Sequence, residues 1–306
     1  MNNQLVGPMK IRAALLLAAL TVLPAFGATP QDDWKVFIAN ENEHYGTSPH
    51  AVLKLQDAIY IGEGEQATLT GTKGNAASYH WSTDANAKGS LHVALNHGKL
   101  SATLDGKPVD GIEKNVSVDT DIDVNGELTP IAAHVNGARF WLYNQKNPEA
   151  AKFTGMAYYP YDPSFLVQAK YVADPKFVTT TFHTSHKTDK DYYHTGDVRF
   201  TLKGKSFLLP IFARSNDPAK IKGAQGFFTD ELTGKGAYPA GRYVNLTFDD
   251  AGNKVNANHP VVIDFNKAYN PDCARSPFWT CPLTDVHFDL PITVGERDPH
   301  SLHHAS

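Results

Sequence analysis

The chain has 306 residues, of which 42% are hydrophobic and 11% aromatic, with a formal net charge of −4 and two cysteines. Aromatic residues at this level exclude an intrinsically disordered chain. The mild negative charge gives no electrostatic basis for binding nucleic acid or an anionic membrane surface. We therefore expect a folded protein without a nucleic-acid partner.

Residues 1–27 have the layout of a secretory signal peptide. Lys10 and Arg12 precede the apolar run Ala13–Leu20, and small residues at Ala25 and Gly27 precede a cleavage point before Ala28. The apolar run is shorter than the roughly 20 residues that a membrane span needs, although an uncleaved anchor is the alternative. We predict cleavage, a periplasmic or secreted mature protein of bacterial type, and no membrane span after cleavage.

Residues 31–45 carry a weak helical pattern. Trp34, Phe37 and Ile38 fall at helical spacing, and Asp32 or Asp33 could cap the first turn. This predicts a short N-terminal helix.

From residue 53 the hydrophobic period changes to two, which is typical of strands. Short alternating runs are separated by pairs that favour tight turns, and a strong strand pattern at 139–143 ends the series. These turn pairs are His97-Gly98, Asp105-Gly106 and Asn136-Gly137. The pattern predicts an N-terminal β-sandwich-like lobe over residues 28–147.

The polar segment 147–151 is a candidate boundary. Beyond it, runs rich in Val, Ile, Phe, Tyr and Thr continue to residue 265, and Lys203-Gly204 between two of them predicts a hairpin turn. We predict a second β-rich lobe over residues 148–297 and a disordered polar tail over 298–306. The fold class predicted for the whole chain is all-β, mainly antiparallel.

Three blocks of the second half form a specific pattern. They read F-T-D-E-L-T-G-K-G-A-Y-P-A-G-R-Y at 228–243, V-I-D-F-N-K-A-Y-N-P-D-C-A at 262–274 and F-W-T-C-P-L at 278–283. The pattern strongly resembles the DUF1684 family of bacterial proteins of unknown function, from about Lys152 to Glu296. Thr229 stands where the family has Arg, and Leu232-Thr233 stands where it has Thr-Ser. The resemblance implies an architecture and a site region but no activity.

These blocks supply the candidate ligand-binding residues, which share polar or aromatic groups suited to a small polar or anionic ligand. They are Asp230, Tyr238, Arg242, Asp264, Asn266, Tyr269 and Asn270. We predict that they converge around a pocket. The structural alternative is that Arg242 pairs internally with Asp230 or Asp264, while the two asparagines only fix turns.

The two cysteines, Cys273 and Cys281, lie close together near the end of the pattern. In an oxidising compartment such a pair is expected to form a disulfide. Their seven-residue separation differs from that of a Cys-x-x-Cys oxidoreductase site.

Two groups of residues contain side chains of the types that bind metal ions. Residues 121–128 match the start of an EF-hand loop, but Ala132 occupies the position of the bidentate Glu, and an Asn125-Gly126 hairpin turn explains the segment more simply. His183, His186 and His194 are scattered rather than convergent. We predict neither a metal site nor a cofactor.

No common catalytic or nucleotide-binding motif is present in the sequence. We therefore predict a non-catalytic binding or envelope-accessory protein for a small polar ligand. One alternative is a hydrolase of a small or saccharide-like substrate that uses Asp230 or Asp264 as acid or base; another is a structural protein-interaction module. The sequence carries no signal for an oligomeric state.

Overall fold

The computed structural model describes residues 28–131, 135–184, 189–249 and 252–300. The predicted signal peptide and the end of the predicted tail lie outside these residues. The fold is mostly antiparallel β-sheet, with 47% strand and 14% helix, which confirms the predicted all-β class. Within the described ranges, no helix is both long and apolar enough to cross a membrane.

The first lobe consists of two sheets around one core. Its strands are β1 (Leu55–Gly62), β2 (Gln66–Thr72), β3 (Asn75–Ser82), β4 (Leu91–Asn96), β5 (Lys99–Leu104), β6 (Lys107–Pro108), β7 (Val116–Asp119), β8 (Ile122–Ile131) and β9 (Val135–Asn144). The sheet orders are β1-β9-β8-β7 and β3-β2-β4-β5-β6. Leu69, Leu91 and Phe140 are buried in the shared core, so the two inner faces pack as in a sandwich.

The hairpins β4–β5 and β5–β6 turn at the predicted pairs. His97 and Gly98 have φ of 53° and 67°, and Asp105 and Gly106 have φ of 51° and 77°. Positive φ at both central positions is the requirement of a type I′ turn, whose twist matches that of the strands. These two turn predictions are confirmed.

Two Asn-Gly pairs are not turns, and the sequence prediction was wrong there. Asn136-Gly137 lies inside β9, which pairs with both β1 and β8, and Asn125-Gly126 lies inside β8. A Cβ at Gly126 would stand 2.7 Å from the Phe140 ring, so this glycine makes room for a core side chain. Because the segment is a strand, it does not form an EF-hand-like loop either.

The second lobe is built on one large sheet. Its elements are α2 (Pro148–Ala151), β10 (Leu166–Ala173), β11 (Thr179–His183), β12 (Asp189–Leu202), β13 (Lys205–Ala213), β14 (Gly223–Asp230), β15 (Arg242–Thr247), β16 (His259–Asp264) and β17 (His287–Phe288). The order is β15-β14-β13-β12-β10-β16, with β11 beside β12 and β17 parallel to β14. Phe228, Phe265 and Phe288 lie in its core. The β12–β13 hairpin turns at Lys203-Gly204 as predicted.

The N-terminal helix α1 (Pro30–Asn42) packs on the second lobe, although it precedes the first lobe in sequence. Trp34 donates an indole hydrogen bond to the carbonyl of Asn266 (3.0 Å), and Phe37 contacts the rings of Tyr158 and Tyr269. Thr29 is the N-cap, where the sequence suggested Asp32 or Asp33. A π-helical turn, Glu43–Thr47, extends the helix.

Candidate functional site

Arg242 is completely buried and forms the internal ion pair. Its Nη2 lies 2.5 Å from Oδ2 of Asp230 and donates to the carbonyl of Ile292 (2.9 Å), while Nη1 donates to the carbonyl of Val294 (2.5 Å). Both charged groups are paired within the protein. Arg242 and Asp230 therefore hold the segment 292–294 against the sheet, and neither lines the pocket described below.

Three further predicted site residues form hydrogen bonds within the protein. Asp264 accepts the backbone N–H of Asn266 (3.0 Å), and Asn266 donates through its side chain to the carbonyl of Asp162 (3.0 Å). The backbone N–H of Asn270 donates to Oε2 of Glu296 (2.6 Å). Asn266 and Asn270 are fully buried. Asp264 also lines a separate groove of about 730 Å³ between the edge strands β15 and β16.

The predicted disulfide is not formed in this structure. The backbone N–H of Cys273 donates to Sγ of Cys281 at 3.3 Å, and the hydrogen bond between the two side chains, together with burial, raises the pKa of the Cys281 thiol. Tyr238 lies beside this pair. Burial, and then the nearby sulfur groups, raise the pKa of its hydroxyl to about 12.

Of the seven predicted site residues, Tyr269 lines a concave pocket with an estimated volume of about 290 Å³. The pocket lies between the end of α1, the exposed surface of strands β12 to β15, and the loop that carries the cysteines. The predicted blocks do meet here, because Tyr243 and Tyr269 exchange backbone hydrogen bonds of 2.8 and 3.0 Å.

One wall of the pocket carries acidic residues and a histidine. Nε2 of His44 lies 3.2 Å from Oδ1 of Asp272, which also accepts the hydroxyl of Tyr45 (3.0 Å). The hydrogen bond to Asp272 raises the pKa of His44. Glu41 lies on the same wall, and burial raises the pKa of its carboxyl. No described residue gives Glu41 a hydrogen bond or ion pair.

A second wall of the pocket is basic. Arg214 lines it, with its guanidinium 5.6 Å from the Tyr192 ring centroid. Lys190 does not line the pocket itself, but its Nζ donates to the carbonyl of the lining residue Thr280 (2.6 Å). Burial, and then the charges of Arg214 and Arg139, lower the pKa of Lys190 to about 8. In the part of the chain that the structure describes, neither Lys190 nor Arg214 forms an ion pair with a carboxylate.

A row of neutral polar groups joins the two walls. Gln225 donates to the Tyr269 hydroxyl (2.5 Å), which donates to Oδ1 of Asn245 (2.9 Å). Trp279 and Thr280 complete the lining, and the indole N–H of Trp279 and the hydroxyl of Thr280 are buried with no hydrogen-bond partner in the described chain. Unsatisfied buried donors are uncommon in folded proteins, and a ligand or water in the pocket would satisfy these two.

A buried carboxylate braces the pocket from behind. Glu296 is 0% exposed, lies 2.7 Å from the Arg275 guanidinium, and accepts the N–H of Asn270. Burial raises its pKa to about 7. Arg275 in turn lies over the ring of Tyr45 at 5.1 Å. This network positions Asp272 and the π-helical turn.

Most residues of this pocket carry no local signal in the sequence. Arg214 directly follows an apolar strand, and Asp272 lies within the Asn-Pro-Asp-Cys run, but neither position stood out by residue type. His44 is 228 residues away from its partner Asp272, a separation at which no local pattern predicts contact.

The scattered histidines do not share a site. His183 lies 2.8 Å from Asp189, while His194 lies between Asp174 and Asp197, 3.0 Å from each. His186 lies outside the described residues. Among described residues, no group of three or more His, Cys, Asp or Glu side chains has an arrangement that could hold a metal ion.

The fold is that of an all-β protein. Its second lobe carries a polar pocket lined by both acidic and basic side chains. Residues 151–297 match the family described as "Protein of unknown function (DUF1684)", in agreement with the resemblance of the sequence motifs. The match covers the second lobe, including Arg214 and Asp272, whereas Glu41 and His44 precede it.

A similar solved structure is that of an uncharacterised protein of Haloarcula marismortui, determined in solution by NMR. It shares 29% sequence identity over 49% of this chain and 80% of that chain, with a TM-score of 0.40. A search of curated proteins found no match to the chain.

Proposed function

We propose that this protein is an exported, non-catalytic binding protein for a small polar ligand that carries an anionic group. The observation that supports this most is Arg214, which lines the pocket without a carboxylate partner among the described residues, while the charge of Lys190 lies close enough for the two cations to affect each other. Like charges held together in a partly buried cleft are unfavourable, and a bound anion offsets that cost.

The dimensions and lining of the pocket support a metabolite-sized ligand. A volume of about 290 Å³ is near the lower end of small-molecule sites. Tyr243 and Tyr269 supply aromatic faces, and Gln225 and Asn245 supply amides. Aromatic walls with a few polar groups are the usual means of orienting a small ligand.

The test is thermal unfolding of the mature protein, from Ala28 onward, with acetate, succinate, inorganic phosphate and sugar phosphates. A ligand present at about 100 times its Kd stabilises the native state by roughly 2.7 kcal/mol. We expect Arg214→Met to abolish this stabilisation. Arg199→Met removes an exposed arginine on β12 away from this pocket and is the matched control. Stabilisation that survives in Arg214→Met, or none from any anion, contradicts the proposal.

Export is part of the same proposal. Its support is the signal-peptide layout of residues 1–27, and N-terminal sequencing of the protein from envelope extracts is expected to begin at or near Ala28. In that oxidising compartment we expect Cys273 and Cys281, which are neighbours but not bonded in this structure, to form a disulfide. Alkylation of two thiols per chain in freshly extracted protein would contradict the pairing.

A hydrolase is the second candidate, supported by Glu41 beside the His44–Asp272 pair in one pocket. A carboxyl with a raised pKa and a histidine oriented by a carboxylate are suitable general acids and bases. Asp230 and Asp264 are unsuitable because protein groups engage both. Hydrolysis of nitrophenyl esters or glycosides that disappears in Glu41→Gln would favour the hydrolase over the binding protein.

A further inference from the structure

The pocket carries opposite charges on side chains from different elements. Arg214, which follows β13, lines it together with Glu41 on α1 and Asp272 in the cysteine loop. Lys190 on β12 adds a positive charge behind the lining residue Thr280, to whose carbonyl it donates. A ligand with a single charge can satisfy one wall only.

The Glu41 carboxylate lacks a hydrogen-bond donor among the described residues. Its carboxylate is partly buried, and among the described residues it has neither a hydrogen bond nor an ion pair. The neighbouring Asp272 differs, because His44 and Tyr45 already bind its Oδ1. A carboxylate drawn out of water without a donor is unfavourable. A cationic donor from a ligand would correct this.

We propose that the pocket binds a zwitterion of amino-acid size, with the ligand carboxylate at Arg214 and the ligand ammonium at Glu41. This rests on the proposed function for the anionic half of the ligand and adds the cationic half. A simple anion would leave Glu41 without a donor, and a simple cation would meet the charges of Arg214 and Lys190. A zwitterion satisfies both walls.

The rest of the lining fits such a ligand. The volume of about 290 Å³ admits an amino acid, and the faces of Tyr243, Tyr269 and Trp279 suit an apolar or aromatic side chain. An ammonium group is also attracted to aromatic faces.

The test is calorimetric titration of the mature protein with each common L-amino acid. The best of them is then compared with its N-acetyl derivative, which lacks the ammonium, and with its carboxamide, which lacks the carboxylate. We expect both derivatives to bind roughly tenfold or more weakly, because each loses one charge-assisted contact. Glu41→Gln should weaken binding of the free amino acid by a similar factor and leave the affinity for the N-acetyl derivative nearly unchanged.

Glu43→Gln is the matched control, since Glu43 is an exposed glutamate two residues away that does not line the pocket. Circular dichroism checks that every variant folds. The zwitterion proposal is contradicted if the N-acetyl derivative binds as tightly as the amino acid, or if Glu41→Gln binds the amino acid as well as Glu43→Gln does; the proposed anion site is then unaffected. It is also contradicted if no amino acid binds while succinate or phosphate binds through Arg214, and in that case the proposed function is retained. If neither amino acids nor simple anions bind, both proposals are contradicted.

Discussion

Burial decides whether Arg242 has a structural or a ligand-binding role. Among the described residues it is the largest fully buried side chain, and Asp230 is its carboxylate partner. We predict that Arg242→Met lowers the free energy of unfolding by roughly 3–5 kcal/mol, because it leaves the Asp230 charge uncompensated. Urea unfolding measures this, and adding Asp230→Leu should recover part of the loss. A loss below about 1 kcal/mol, or lost ligand binding at unchanged stability, would contradict the structural role.

Glu296 makes stability depend on pH. Its folded pKa of about 7 lies above the ordinary 4.5, so the folded chain binds more protons than the unfolded chain between these values. The free energy of unfolding therefore falls as pH rises through this interval, by roughly 3 kcal/mol from this group alone. In Glu296→Gln we expect the free energy of unfolding, measured with urea, to lose this decrease between pH 4.5 and about 7. An unchanged slope in the variant would show that another group is responsible.

At the scale of elements, docking of α1 depends on close packing at the π-helical turn. A Cβ at Gly46 would stand 2.1 Å from Cδ1 of Phe153, so only glycine fits there. We predict that Gly46→Ala costs about 1–3 kcal/mol and speeds amide exchange in α1.

Two variants test whether this effect is steric. Adding Phe153→Leu to Gly46→Ala should restore protection of α1, because it removes the obstructing ring. Gly223→Ala is the control, since its nearest non-neighbouring atom, the Leu246 carbonyl oxygen, is 3.6 Å away. Equal effects of Gly46→Ala and Gly223→Ala would argue against the packing explanation. The helix also carries Glu41, so loosened docking should weaken ligand binding as well.

For the whole molecule, a stack of aromatic rings and a guanidinium joins the two lobes. The Arg139 guanidinium lies 3.7 Å from the Trp141 ring on β9 and 5.1 Å from the Trp279 ring in the cysteine loop. Arg139 also pairs with Glu127. The stack adjoins the pocket through Trp279. Unfolding of the lobes is therefore expected to be coupled.

We predict that Trp279→Ala costs about 3–5 kcal/mol and splits the calorimetric transition, because it removes the ring that the two lobes share. Trp279→Phe keeps an aromatic face for Arg139 and should retain one transition. Two transitions already present in the unmodified protein, or one transition that persists in Trp279→Ala, would show that this stack does not couple the lobes.

The amino-acid sequence by itself determined the fold class and several hairpins. Alternating hydrophobicity predicts strands because side chains on a strand alternate between faces. His97-Gly98 and Lys203-Gly204 turn because these residues tolerate positive φ. Asn125-Gly126 and Asn136-Gly137 have the same local signal but lie inside β8 and β9, where the long β8–β9 pairing overrides turn preference.

Only the tertiary structure decided which polar residues face a pocket. Arg242 and Arg214 are equally suited to an anion by residue type, yet Arg242 is completely buried against Asp230 and Arg214 reaches a cleft. The acidic wall joins His44 to Asp272 across 228 residues of sequence. Charge, residue type and periodicity are local properties, whereas burial and opposition of charges arise when α1 packs on the second lobe. For this reason the family motifs do not indicate by themselves which of their polar side chains face the pocket.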